Sequence, residues 1–146
     1  MYYSSQDCLH DIDAIAHEVI AAGEPIDYIV GIARGGLIPA VLLSHRLELP
    51  MRSVSWSTFH SDQMREHALD IADDINEGKK ILLVDDILDS GRTLQELLED
   101  WQCERNKIKI AVLLHNTDQK IAPDFCGRKF SRTDAPEWID FWWEKA

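Results

Sequence analysis

The sequence predicts an α/β fold, a parallel twisted sheet with helices on both faces, and three observations carry that reading. Segments of strand character alternate with segments of helical periodicity along the chain. The runs Tyr28–Ile32, Ile81–Val84 and Ile108–Leu114 are almost continuously apolar, as strands buried on both faces are. Two glycine-containing turns, 33–36 and 89–93, directly follow strands. Both therefore open at the carboxyl edge of the sheet, where ligands bind in folds of this kind.

The elements follow in order. Ser5 is read as the cap of a first helix with an apolar face of Leu9, Ile12, Ala16, Val19 and Ile20, stopped by Gly23. A strand over Tyr28–Ile32 leads through Ala33-Arg34-Gly35-Gly36 into a helix from Leu37 to about Leu47, with Pro39 in the first turn, where proline is tolerated. Ser53–Ser57 alternates with Val54 and Trp56 on one face, as a strand does. Within the polar stretch Thr58–Gly78, Met64, Ala68, Ile71 and Ile75 have helical spacing. After the strand and turn that begin at Ile81, Leu94, Leu97, Leu98 and Trp101 mark another helix, and Ile108–Leu114 another strand. The tail is aromatic, with Trp138, Phe141, Trp142 and Trp143 and a small C-terminal hood expected there. No repeat, low-complexity tract or linker interrupts residues 1–146, so a single domain is expected.

Composition narrows the function. The net charge is −11, which disfavours nonspecific binding to nucleic acid or anionic membranes. An anionic ligand would need local devices: helix N-termini, a few arginines or a metal ion. No run approaches the ~20 apolar residues of a membrane span, and the N-terminus has neither a basic head nor an apolar run, so a cytoplasmic location is expected. Cys8, Cys103 and Cys126 include no CxxC pair and read as reduced thiols. His10, His17, His45, His60 and His67 show no metal-binding spacing.

Ile81–Leu94, ILLVDDILDSGRTL, is the most informative stretch. An apolar strand ends in Asp85 and Asp86, a turn of small polar residues follows, and a helix begins. Backbone N–H groups of such a turn, with the helix N-terminus behind them, form a phosphate cradle. Carboxylates at the strand end lie where sugar hydroxyls would sit. Receiver domains also end a strand in acids, but the roughly 50 residues after this turn leave no room for the four strands and phospho-accepting Asp still required. Nucleotide hydrolases need an upstream GxxxxGK[ST] loop, and none is present.

Ile81–Thr93 resembles the motif that binds phosphoribosyl diphosphate (PRPP) in type I phosphoribosyltransferases. That motif has four apolar residues, two acids, two mostly apolar residues, then Asp/Thr-Thr/Ser-Gly-x-Thr. Gly31–Pro39 resembles the family's pyrophosphate loop and following helix. Thr58-Phe59 sits where purine-using members carry a Ser-Tyr pair at the start of a mobile loop. Trp138-Ile139-Asp140 and Trp143-Glu144 are similar to the C-terminal stretch of the xanthine-guanine enzymes.

The resemblance, nearest to the 6-oxopurine enzymes, implies Mg²⁺-dependent transfer of the phosphoribosyl group from PRPP to hypoxanthine, guanine or xanthine. It places the ribose hydroxyls on Asp85 and Asp86, with Asp86 also helping to hold Mg²⁺. Ser90, Gly91, Arg92 and Thr93 would wrap the 5′-phosphate, and Arg34, Gly35 and Gly36 the pyrophosphate, beside a cis peptide near Ala33–Arg34. Asp89 would be the proton acceptor at the purine, with a helix N-cap as its structural alternative. His115, Asn116, Trp138 and the backbone of Ile139 would form the base pocket. Thr58, Phe59 and Arg65 would belong to a lid. His115 stands where purine members usually carry Lys, which opens the choice of base. The tryptophans alternatively serve as a clamp or an interface, and the family implies a homodimer or homotetramer. A PRPP- or nucleotide-sensing regulator without catalysis, and a phosphoribosyltransferase for another base, are the competing readings.

Overall fold

The computed structural model describes residues 1–57, 65–134 and 138–145. Five parallel strands form the central sheet in the order β3-β2-β4-β5-β6. They are β2 (Tyr28–Ala33), β3 (Met51–Ser55), β4 (Ile81–Leu88), β5 (Lys109–Asn116) and β6 (Phe125–Phe130). Parallel neighbours need crossovers; helices lie in those from β2 to β3, β3 to β4 and β4 to β5, while residues 117–124, without a helix, join β5 to β6. On one face α1 (Ser5–Ala22) and α2 (Leu37–Leu47) bury Ile12, Ile15 and Leu43 against Leu82, Val84 and Leu113. On the other, α3 (Leu69–Asn76) and α4 (Arg92–Asp100) bury Ile71 and Leu97 against Leu83, Ile110 and Val112. A separate two-stranded parallel ribbon pairs β1 (Tyr2–Tyr3) with β7 (Asp140–Phe141), joining the start of the chain to its aromatic tail.

Several boundaries differ from the sequence reading. Ser4, not Ser5, caps α1: its hydroxyl accepts from the Asp7 N–H at 3.0 Å, and Asp7 accepts in return from the Ser4 N–H. The buried face of α1 is Cys8, Ile12, Ile15, Ala16 and Val19, while Leu9 and Ile20 are 49% and 67% exposed. The third strand ends at Ser55, so Trp56 lies beyond it although its ring is buried. α3 begins at Leu69 and buries Ile71, Ala72 and Ile75; Met64 lies outside the described residues. β6 was not anticipated, because the half-buried FCGRKF lacks an apolar run.

The alternation of β4 slips where function was expected. Leu82, Val84 and Ile87 all face α1 and α2, so the pleat changes phase between Val84 and Ile87. The ladder to β5 keeps one register throughout, pairing Asp85 with Val112 and Ile87 with Leu114, and Leu113 and Leu114 of β5 likewise belong to one cluster. Asp85 and Asp86 lie at this change of side, and both are half-buried.

α1 is tied to the edge strand by charge. Asp11 is 1% exposed and accepts from Arg128 Nε (2.8 Å), Arg128 Nη2 (3.1 Å) and the Tyr3 hydroxyl (2.7 Å). Asp11→Ala leaves Arg128 and Tyr3 without this acceptor, and the expected cost is about 2–4 kcal/mol, toward the range for breaking a buried pair. Urea unfolding measures it; a loss within about 0.5 kcal/mol, typical of surface changes, would contradict the assignment.

Candidate active site

A cavity of about 500 Å³ opens at the carboxyl edge of the sheet. Its wall contains Asp85, Asp86 and every residue from Ile87 to Leu94, with Ile32 and Trp138 also lining it. The wall therefore passes without interruption from the end of β4 through the 89–91 turn into α4. That helix starts at Gly91 with no side-chain cap, though the Ser90 hydroxyl accepts from the Arg92 N–H at 3.3 Å. The N–H groups of its first turn suit an anion. Gly91 has φ +82°, and a Cβ there would strike Ile121, so geometry and packing both select glycine.

The turn after β2 abuts the acids. A Cβ on Gly35 would collide with the Asp86 carboxylate, and one on Gly36 would lie 2.7 Å from the Val84 carbonyl oxygen and 3.0 Å from Asp85 Cα. The turn after β2 thus lies directly against the acidic part of β4, its neighbour in the sheet. The Ala33–Arg34 peptide is cis, matching the expectation, and Arg34 is exposed at the turn. α2 begins at Gly36, likewise without a side-chain cap.

Asp85 and Asp86 have no ion-pair partner among the described residues. The Asp86 N–H donates to Asp85 Oδ1 at 2.9 Å. Burial, followed by the charge of Asp86, pushes the Asp85 carboxyl well above the usual carboxylate range; burial raises Asp86 as well. Half-buried acids in this state suit a cation or hydroxyl donors. No group of three or more His, Cys, Asp or Glu side chains forms a metal site among the described residues. Two carboxylates match Mg²⁺, which takes one or two protein oxygens and leaves the rest to substrate and water.

Asp89 behaves differently. Its Oδ2 accepts from Arg132 Nη2 at 2.7 Å, and its Oδ1 from Arg132 Nε at 3.1 Å and Asn116 Nδ2 at 3.0 Å. Arg132, first, and Asn116 hold this carboxyl below the ordinary range against the opposing effect of burial. Arg132 escaped the sequence reading because it lies 43 residues from Asp89 in a turn without an apolar pattern. Glu96 escaped as well. It accepts from Trp56 Nε1 and Arg92 Nε, both at 3.3 Å, and pairs with Arg65 Nη2 at 3.4 Å. Arg65, expected in a lid, thus shares Glu96 with Arg92 at the start of α4. The lid residues Thr58 and Phe59 lie outside the described residues.

The expected base residues divide. Trp138 is 74% exposed and lines the cavity, whereas the Ile139 side chain is buried in the core. The Asn116 amide is engaged on Asp89. The His115 ring is buried, with neither nitrogen hydrogen-bonded, and does not line the cavity. Trp142 and Trp143 pack with the core rather than joining Trp138; Trp143 stacks on Phe141 at 4.6 Å.

Fold and cavity together define an α/β protein with a five-stranded parallel sheet and a cavity at the sheet's carboxyl edge. The family model for the phosphoribosyl transferase domain matches residues 1–144, and the chain belongs to that family. It is 33% identical over 132 residues to the bifunctional protein PyrR of Citrifermentans bemidjiense, covering 78% of this chain and 74% of that protein. It is 33% identical over 107 residues to the xanthine-guanine phosphoribosyltransferase of Ruegeria sp., covering 64% of this chain and 61% of that one. A purine phosphoribosyltransferase structure from Pyrococcus horikoshii superposes with a TM-score of 0.71 at 27% identity, covering 98% of this chain and 92% of that one. Among the described residues no helix is long and apolar enough to cross a membrane.

The raised Asp85 carboxyl has a consequence for stability. The folded protein binds more protons than the unfolded chain between the ordinary carboxylate value and the raised one, so ligand-free stability falls as pH rises through that window. Asp85→Asn removes the buried charge. It is expected to raise the urea midpoint at neutral pH, with the gain disappearing near about pH 4, where unperturbed carboxylates begin to protonate. A lower midpoint at neutral pH would contradict the electrostatic account.

Proposed function

We propose that this protein transfers the phosphoribosyl group of PRPP to a purine base, hypoxanthine, guanine or xanthine, giving the nucleoside monophosphate and pyrophosphate, with Mg²⁺ required. The observation that carries the reading is the unbroken cavity wall from Asp85 to Leu94, with a diacid, a charged acceptor and an uncapped helix start in sequence. The named purine enzymes among its relatives support the same class of base.

In this reading the N–H groups and hydroxyls of Ser90–Thr93 hold the 5′-phosphate. Asp85 and Asp86 accept from the ribose hydroxyls, while Arg34 and the Gly35–Gly36 backbone hold the pyrophosphate. Bound Mg²⁺, held at Asp86, would neutralise charge on the diphosphate. A base nitrogen attacks C1′ as the C1′–O bond to pyrophosphate breaks, through an oxocarbenium-like state that the fixed carboxylates stabilise. Asp89 faces the base and accepts its N–H, and Trp138 covers one side of the ring. Holding both reactants in line lowers the entropic part of the barrier.

A phosphoribosyltransferase for another base is the second reading. It is favoured by a histidine rather than a lysine at position 115 and by relatives named as bifunctional PyrR proteins. Incubation of the purified protein with PRPP, Mg²⁺ and a panel of purine and pyrimidine bases separates the two. Release of pyrophosphate with a 6-oxopurine is expected. Turnover with a pyrimidine alone supports the second reading, and tight PRPP binding without turnover on any base supports a sensor. Asp89→Asn is expected to leave PRPP affinity within about twofold and to cut turnover by about 10²-fold, within the usual range for a proton-handling group. Unchanged turnover would remove Asp89 from the chemistry.

A further inference from the structure

Asp89 sits in a closed ring of hydrogen bonds that no motif announces. Arg132 donates to both of its oxygens from the turn after β6. Within that turn the Ser131 hydroxyl donates to Asp118 Oδ1 at 2.7 Å, and the Thr133 N–H to Asp118 Oδ2 at 3.2 Å. The Asp118 N–H donates to Asn116 Oδ1 at 3.0 Å. Asn116 Nδ2 closes the ring on Asp89 Oδ1 at 3.0 Å. The Asp118 N–H also fixes which way the Asn116 amide faces, because only its oxygen can accept that bond. Two turns that are distant in sequence, 116–118 and 131–133, are thereby clamped to each other and to one carboxylate on the cavity wall. The Arg132 guanidinium also lies over the Phe130 ring, 5.0 Å from its centroid, which limits its freedom to leave.

We infer that Arg132 is a positioning residue of the base site: through this ring it holds Asp89 as a permanently charged acceptor, so that the base binds with an N–H directed at the carboxylate and keeps that contact through the transfer. The inference rests on the proposed function and deepens it. As the base nitrogen gives its lone pair to C1′, positive charge grows on the ring and its N–H becomes a stronger donor. A carboxylate already fixed and ionised stabilises that change without reorganising. One backed by an arginine is a poor proton sink, so its contribution while the C1′–N bond forms and the C1′–O bond breaks is electrostatic; pyrophosphate leaves with the bonding electron pair, and the N–H proton then passes by way of Asp89 to water. The depressed Asp89 carboxyl agrees with this role.

The strand before Asp89 carries Asp85 and Asp86, β5 carries His115, β6 carries Arg128 and Lys129, the first turns of α4 carry Arg92 and Glu96, and the adjoining turns carry Arg132 and Asp118. Of these, Arg132 is the cation in contact with Asp89 among the described residues.

The test compares wild-type protein with Arg132→Gln and Arg132→Lys, following kcat/KM for the base against pH, together with KM for PRPP. In Arg132→Gln the acid limb is expected to move up by about one pH unit, the low end of what an adjacent arginine imposes on a carboxylate. At neutral pH kcat/KM for the base should fall about tenfold, equivalent to about 1.4 kcal/mol, with KM for PRPP nearly constant. Arg132→Lys should recover most of the acid limb but not the full efficiency, since it restores charge without the fork. An acid limb and base KM unchanged in Arg132→Gln overturn the inference, as does an equal rise in both substrates' KM, which marks a merely structural role. A protein that turns over no base defeats the proposed function instead. The ring is then still tested by ¹³C NMR titration of the Asp89 carboxyl, which should shift upward in Arg132→Gln; coincident titration curves would overturn it.

Discussion

Two adjacent carboxylates, Asp85 and Asp86, lie in the second half of the central strand with no ion-pair partner among the described residues, and much of the surrounding structure is arranged about that fact. β4 is flanked by β2 and β5 and is apolar up to Val84. Continued alternation would send one acid toward each helix layer, where an unpaired charge is costly. Both acids are instead half-buried, at the point between Val84 and Ile87 where the apolar side chains change side. Glycines at 35 and 36 then allow the neighbouring turn to close against them. The arrangement is tolerable without ligand because the carboxyls can bind protons, and the proposed function would make it favourable by bringing sugar hydroxyls and a divalent ion to them.

The chain's charge of −11 makes an anionic ligand an unlikely guest on bulk electrostatics. Local devices reverse this. Two helix N-termini, α2 and α4, begin at glycines on the same edge, and neither is occupied by a side-chain cap. Their N–H groups offer partial positive charge without adding arginines that would neutralise the diacid. The arginines that are present are committed or peripheral: Arg132 is paired with Asp89, Arg92 with Glu96, and Arg34 is exposed at its turn. The site thus separates its acids by role, with Asp85 and Asp86 left unpaired and Asp89 held ionised.

Much of this was legible in the sequence where local chemistry decides. The bounds of α2 follow from Pro39 and the apolar run, and the β4–turn–α4 unit from ILLVDDILDSGRTL. The start and buried face of α1 were misplaced because Leu9 and Ile20 satisfy helical periodicity as well as Cys8 and Ile15 do; only the direction in which α1 packs on the sheet separates them. β6 was missed because an edge strand needs only half-burial and FCGRKF has no apolar period. Arg132 and Asp118 were invisible for a different reason. Their meaning lies in contacts across 43 and 13 residues, which no local pattern encodes. His115 was read as a base donor from its place in the strand; its ring is buried and is not among the residues that line the cavity.

The central claim is that the cavity along 85–94 binds a ribose 5-phosphate unit with its hydroxyls on the diacid. A crystal structure of the protein with a purine nucleoside 5′-monophosphate tests it most directly. The account predicts the phosphate within hydrogen-bond distance of the Ser90–Thr93 N–H groups, the ribose 2′- and 3′-hydroxyls on Asp85 and Asp86, and the base beside Asp89. A nucleotide bound elsewhere, or with its phosphate on the Arg34 turn and its ribose away from the two acids, would contradict it.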